Sequence, residues 1–266
     1  MLRDITIGQY IPGDSVVHKL DPRTKIISLV LYMVGLFVVN NFTGYLFVTL
    51  ITAGIISLAH IPYKIILKGL KPLTVIILLT VGLHIFLTEG GPLLWEWGFL
   101  HIYENGLRQG LFMALRLIYL VVVTSLLTLT TTPIVLTDGL EKILKACFVP
   151  IAHELAMIMT IAIRFIPTLI EETEKIMKAQ KARGADFESG GLIQRAKNLI
   201  PLLVPLFLSS FRRADELAMA MEARCYRGGE NRTRVKQLVF GAQDFLAYLF
   251  IIVFVVVAIF TRLNTL

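Results

Sequence analysis

The sequence predicts an all-α membrane protein: five transmembrane helices, with a cytoplasmic domain of long amphipathic helices set between the fourth and the fifth. Three observations predict it. Of 266 residues, 56% are apolar and only 17% are charged, against roughly 25% charged in an ordinary soluble domain. The apolar residues come in blocks, which points to a bilayer rather than to one large core. The basic residues fall almost entirely into alternate gaps between those blocks, as expected of a multi-pass membrane protein. This composition argues against a water-soluble enzyme. Two cysteines, Cys147 and Cys225, cannot build a disulfide framework or a four-ligand zinc site.

The elements follow in order. Residues 1–25 hold Arg3, Asp4, Asp14, Lys19, Asp21, Arg23 and Lys25 without the apolar core of a secretory signal, so the first apolar block is expected to persist. A spanning helix needs about 20 mostly apolar residues. The blocks that qualify are Ile26–Phe42, Gly44–Leu58, Leu73–Leu87, Gly110–Leu129 and Leu238–Phe260. The polar pair Asn40-Asn41 separates the first two. Each block must be helical, because lipid offers no partner to a free backbone N–H or C=O. Ile151–Ile170 is also apolar, but it carries His153, Glu154, Arg164 and Pro167. Leu199–Phe211 is short and carries Pro201 and Pro205. Charges at the bilayer centre cost a few kcal/mol or more, so both stretches are expected at or below the membrane surface.

Charge placement tests that count. With the N-terminus cytoplasmic, 23 of the 26 Lys and Arg residues fall inside, leaving only Arg108, Arg116 and Arg262. The connection Thr88–Asn105 has no Lys or Arg but holds Glu89, Glu96 and Glu104. The formal charge of +7 is thus accounted for by topology, and a nucleic-acid surface is not required. The C-terminus is expected outside. Trp95 and Trp97 suit an external interfacial anchor.

The chain therefore divides into 1–131 (a tail and four spans), 132–237 (cytoplasmic helices) and 238–266 (the last span). Pro133 and Pro150 bracket a helix over Leu136–Phe148. Longer helices are expected over Ala152–Lys181 and Leu192–Glu222, broken by Gly184, Gly190 and Gly191. Both keep an apolar stripe at spacings of three and four, read as packing on each other and on the cytosolic ends of the spans. Examples are Leu155, Ile158, Ala162 and Ile166 in one, and Ile200, Leu203, Phe207 and Phe211 in the other.

The ends of these two helices carry a weak repeat. At an offset of 41 residues, Ala179, Ala182 and Arg183 match Ala220, Ala223 and Arg224. Each arginine lies seven residues beyond an apolar position of its stripe, Ile176 or Leu217, and so extends that face past its end. A lone cation at a helix C-terminus is explained by the helix dipole. Two in matching phase point instead to two similar receptor grooves, where an arginine fork can bind a carboxylate bidentately.

With these tips in view, the chain resembles a known family. Ala182-Arg183-Gly184 and Ala223-Arg224-Cys225 look like the paired arginine motifs of the transmembrane T component of energy-coupling-factor transporters, the EcfT family. His18-Lys19-Leu20-Asp21-Pro22-Arg23-Thr24-Lys25 and Glu222-Ala223-Arg224-Cys225-Tyr226-Arg227-Gly228 are similar to stretches of that family, and the resemblance covers essentially the whole chain. Cys225 departs from it, since glycine is common there. The resemblance implies a scaffold and energy-coupling subunit of a prokaryotic uptake system for vitamins or metal ions. It implies docking of the two tips onto two ATP-binding-cassette subunits, identical or different. It also implies a separate small membrane protein, the S component, that binds the substrate.

The chain has no G-x-x-x-x-G-K-[ST] loop, so ATP hydrolysis is expected in partners and no cofactor is expected here. The histidines, at 18, 60, 84, 101 and 153, show no metal-ligand spacing. His84 is expected to be a satisfied packing residue. Arg116 is expected to reach outward or to bind a carbonyl. A self-contained secondary carrier is the main rival reading, but such carriers show matched repeats with broken helices, and spans one to four show none. An intramembrane enzyme would need more converging titratable groups than His84 and Arg116.

Overall fold

The computed structural model describes residues 10–97, 100–187, 189, 191–228 and 238–263, with the side chains of 95–97, 100, 101, 192 and 196 outside that description. In chain order the helices are α1 (Val16–Lys19), α2 (Pro22–Val38), α3 (Phe42–Ala59), α4 (Tyr63–Leu70), α5 (Thr74–Leu87), α6 (Glu104–Thr130), α7 (Pro133–Ala146), α8 (Ala152–Ala182), α9 (Leu192–Asn198), α10 (Ile200–Ala223) and α11 (Ala242–Leu263). A 3-10 turn, Lys71–Leu73, joins α4 to α5. A hairpin of β1 (Leu93–Trp97) and β2 (Leu100–Tyr103) fills the connection before α6. That hairpin was not expected; its backbone pairs Leu93 with Tyr103 and Trp97 with Leu100. The Trp95 and Trp97 side chains lie outside the described residues.

The protein is an all-α membrane protein apart from this hairpin. Among the described residues, five helical stretches are long and apolar enough to cross a bilayer: α3, Tyr63–Leu87, α6, α8 and α11. Four of them contain or overlap expected spans. The expected first span folds as α2, which stops at Val38 after 17 residues. It stops there because Asn41 leaves the helix and caps α3, its Oδ1 accepting from Gly44 N at 2.8 Å. The additional stretch is α8, which runs 31 residues straight through Pro167. Length admits it, yet its apolar half carries Glu154 and Arg164. The expected helix Leu192–Glu222 instead divides at Leu199 into α9 and α10. Pro201 explains the break: it lacks an N–H and fits only the first turn of a new helix.

The described residues form two compact units, one of 10–140 with 238–263 and one of 141–228, the boundary falling within α7. In the first, α2 packs against α11 and α6, and α5 against α6. Its core holds Tyr32, Leu36, Val48, Phe112 and Phe254. The Tyr32 and Phe254 rings stack at 5.1 Å. Gly35 makes this possible, since a Cβ there would lie 2.5 Å from Phe254 Cε1. The α5–α6 contact rests on Gly106 and Gly110, a small-residue pair one turn apart. A Cβ on Gly106 would come 2.9 Å from the His84 carbonyl oxygen and 3.0 Å from that of Thr88. Small residues let spanning helices approach closely where apolar burial supplies little drive.

In the second unit α8 packs against α10. The helices run antiparallel, as three contacts along their length record. Gln180 Nε2 donates to the Pro201 carbonyl (3.3 Å), Arg213 pairs with Glu172 (3.2 Å), and His153 meets the Tyr226 hydroxyl (3.1 Å). The apolar stripes are not consumed by this packing. Ile158 is 61% exposed, Phe207 61% and Phe211 67%. Two crossing helices touch along one line, and Leu202 is the residue of α10 that becomes buried.

Candidate docking site at two helix tips

Both arginine motifs fold as the same C-terminal cap. In α8 the helix ends at Ala182, Arg183 follows at φ −88° and ψ 7°, and Gly184 turns left-handed at φ 87°. In α10 the helix ends at Ala223, Arg224 follows at φ −93° and ψ 12°, and Cys225 turns left-handed at φ 55°. The hydrogen bonds also correspond. Gly184 N donates to Lys181 O and Ala185 N to Gln180 O, each at 3.0 Å. Cys225 N donates to Glu222 O at 2.8 Å and Tyr226 N to Met221 O at 3.0 Å. This is the Schellman pattern, a six-residue closure around a left-handed residue. The small third residue of the motif thus has a backbone reason: left-handed φ is free for glycine and strained for most side chains.

The cap turns the chain away and leaves the arginine at the extreme end of the helix. Arg183 and Arg224 are both exposed, as are Ala182, Gly184, Ala223 and Cys225. Neither arginine makes an ion pair among the described residues. Each guanidinium therefore projects from an electronegative helix end, free to receive an anionic group. Sequence reasoning described two parallel-built arms, each presenting one arginine at its tip. Because the helices are antiparallel, the tips lie at opposite ends of the pair, separated by about the length of α10, roughly 36 Å for 24 residues.

The N-terminal stretch His18–Lys25 forms a clasp in the other unit. Asp21 caps α2 by accepting from Arg23 N at 2.9 Å, and the Arg23 guanidinium grips both carboxylate oxygens at 2.9 Å. Asp21 N in turn donates to Asp244 at the start of α11 (2.8 Å). Lys25 Nζ donates to the carbonyls of His18 and Thr130 and to the Thr131 hydroxyl, at 3.0–3.1 Å. Four helix ends are thereby joined, with Lys25 placed at the electronegative end of α6. Asp21-Pro22-Arg23 thus forms a turn and a charge anchor at the entry to α2.

Two further candidates behave as expected. Arg116 donates to the Val39 carbonyl at 3.2 Å, where α2 ends, and lies 5.2 Å from the centre of the Phe37 ring. His84 approaches the Thr88 hydroxyl at 3.4 Å. Sequence reasoning missed the partners of His153, which meets both Glu141 and Tyr226. The only signal was its place in an otherwise apolar stretch.

Comparison with known proteins bears on the whole chain. A family model described as cobalt transport protein, CbiQ, matches residues 13–235. The energy-coupling factor transporter transmembrane protein EcfT of Clostridium kluyveri is 59% identical over 99% of this chain and 98% of its own length. Its namesake in Thermosediminibacter oceani is 60% identical over 93% of this chain and 94% of its own. That of Bacillus subtilis is 50% identical over 98% of this chain and all of its own. The chain belongs to the EcfT family. It is accordingly a multi-pass transmembrane component of a transporter and not that transporter's ATPase. The clasp and both capped tips lie within the matched region.

Proposed function

We propose that this chain is the scaffold and energy-coupling subunit of an energy-coupling-factor type ABC importer. In this reading Ala182, Arg183 and Gly184 dock on one ATP-binding-cassette subunit, and Ala223, Arg224 and Cys225 on a second. A separate substrate-binding membrane subunit, the S component, packs against the chain and carries the vitamin or metal ion. The duplicated cap carries the reading: two exposed arginines in one backbone geometry suit two like grooves, and the ~36 Å between them leaves room for two globular partners. Arginine fits such a groove because its fork can hold a carboxylate through two parallel hydrogen bonds.

Hydrolysis-driven closure of the two ATPases would shift the tips relative to each other. An antiparallel helix pair fixed at opposite ends would convert that shift into a change of crossing angle. The apolar face left open at Ile158, Phe207 and Phe211 is the surface on which such motion would reach the S component and the lipid. Residues 132–237 would form this cytoplasmic coupling domain, with the N-terminus on the same side and the C-terminus outside, in a prokaryotic cell membrane. The charge distribution supports α8 lying along the membrane surface: a crossing there would carry the Arg183 tip to the outer side, leaving the Arg224 tip beside the base of α8.

The test is the double variant Arg183→Glu with Arg224→Glu. Extracted membranes should yield the chain without its ATPase subunits while the S component still co-purifies. Unchanged ATPase recovery would refute the docking assignment. Uptake by the chain reconstituted alone under a proton or sodium gradient would favour a carrier instead.

A further inference from the structure

A buried polar cluster stands beside one tip. His153, in the first turn of α8, is 7% exposed, and Glu141 of α7 is 3% exposed. His153 Nδ1 lies 3.1 Å from Glu141 Oε1, and Nε2 lies 3.1 Å from the Tyr226 hydroxyl. Lys145 Nζ reaches the same Glu141 oxygen at 3.1 Å. The tautomer with its proton on Nδ1 donates to Glu141 and accepts the Tyr226 O–H at Nε2. The donor chain runs from Tyr226 through His153 to Glu141.

Tyr226 is also part of the α10 cap: its backbone N–H closes the Schellman turn on Met221 O at 3.0 Å. One residue therefore ties the Arg224 turn to α10 through its backbone and to the base of α8 through its side chain. At the other tip the equivalent position is Ala185, whose methyl group can bond to nothing. The contacts there run between polar groups in water: Asn198 Nδ2 to the Asp186 carbonyl at 2.6 Å and Gln180 to Pro201.

We propose that Tyr226, His153 and Glu141 form a latch that positions the Arg224 tip, so that the two tips are mechanically unequal. Arg224 is held against the base of α8, whereas among the described residues no buried side chain from the position after the turn ties down the Arg183 end, where that position is Ala185. Tyr226 and His153 are positioning residues, acting through the cap and not touching the ATPase themselves. Relative motion of the two ATPases is then taken up at the Arg183 end. This last step rests on the docking reading above; the latch itself does not.

The experiment follows amide hydrogen exchange at Arg224–Tyr226 and at Arg183–Ala185 in the full-length chain in lipid nanodiscs. Tyr226→Phe should speed exchange at the first site about fivefold, the size expected for one buried hydrogen bond, and leave the second unchanged. Two His153 variants separate the latch from general packing. His153→Gln places an acceptor near the former Nε2 and should keep protection close to that of the parent. His153→Asn keeps only the Glu141 side and should match Tyr226→Phe. Wild-type exchange in Tyr226→Phe, or equal exchange in the Gln and Asn variants, overturns the latch. In the complex with its ATPases, Tyr226→Phe should lower substrate moved per ATP hydrolysed while both ATPases remain bound, and His153→Gln should keep the ratio of the parent. A faster-exchanging tip with an unchanged ratio overturns the mechanical role. If Arg183→Glu with Arg224→Glu retains the ATPases while Tyr226→Phe frees the tip, the docking reading fails and the latch stands.

Discussion

The tips of α8 and α10 share a backbone and differ in the side chains that follow the arginine. Both end in alanine and arginine, and both close with the same pair of hydrogen bonds. Yet α8 turns on Gly184 and continues into Ala185, whereas α10 turns on Cys225 and continues into Tyr226. The first is a relaxed turn stitched by exposed contacts. The second is a turn with a side chain in a strained region of φ, tied by Tyr226 to a buried histidine. The difference teaches that a repeated motif can fix where an arginine is presented without fixing how firmly it is held.

Several substitutions probe that contrast. The largest effect belongs to the arginines. Arg183→Ala and Arg224→Ala should each weaken ATPase retention by about 2 kcal/mol or more, the range for truncating one partner of a desolvated charge pair. Arg224→Ala should be the more damaging, since a pre-positioned group loses less entropy on binding; equilibrium binding of the purified ATPases ranks them. Next come the turn residues, with opposite signs. Gly184→Ala puts a Cβ at φ 87° and should destabilise the α8 cap by about 1 kcal/mol. Cys225→Gly should relieve up to about 1 kcal/mol of strain at the α10 cap. Exchange rates of the Ala185 and Tyr226 amides read both, and a shift of the same sign at the two tips would erase the distinction.

Arg213→Leu removes the ion pair midway between the tips. Its side chains are 34% and 25% exposed, so the expected loss is small, at most about 1 kcal/mol, and shared by both ends. Asn198→Ala should have the smallest effect, about 0.5 kcal/mol or less, because water replaces the lost bond to Asp186. It should appear as faster exchange near residue 186 alone.

Much of the fold was legible because lipid imposes a simple rule: long apolar blocks become helices. Thus α3, α5, α6 and α11 fall close to the expected blocks. The Asn40-Asn41 break lay where expected, since asparagine caps a new helix. The division of α9 from α10 was missed although Pro201 marks it, because the apolar period continues across the break. The hairpin before α6 was missed because nine short residues in an apolar stretch give little alternation. The close α5–α6 packing was also passed over: Gly106 and Gly110 mark it in the sequence, but only a partner backbone gives that spacing its meaning.

For the site, local chemistry determined the arginine positions, their matching phase and the left-handed residue after each. These depend on bonds within six residues, so the sequence alone contains them. The direction of one tip relative to the other, the open apolar faces and the pairing of His153 with Tyr226 depend on residues up to 73 positions apart. Only tertiary structure decided those, because antiparallel and parallel packing of two amphipathic helices satisfy the same stripe, and nothing in a stripe records which way its neighbour runs.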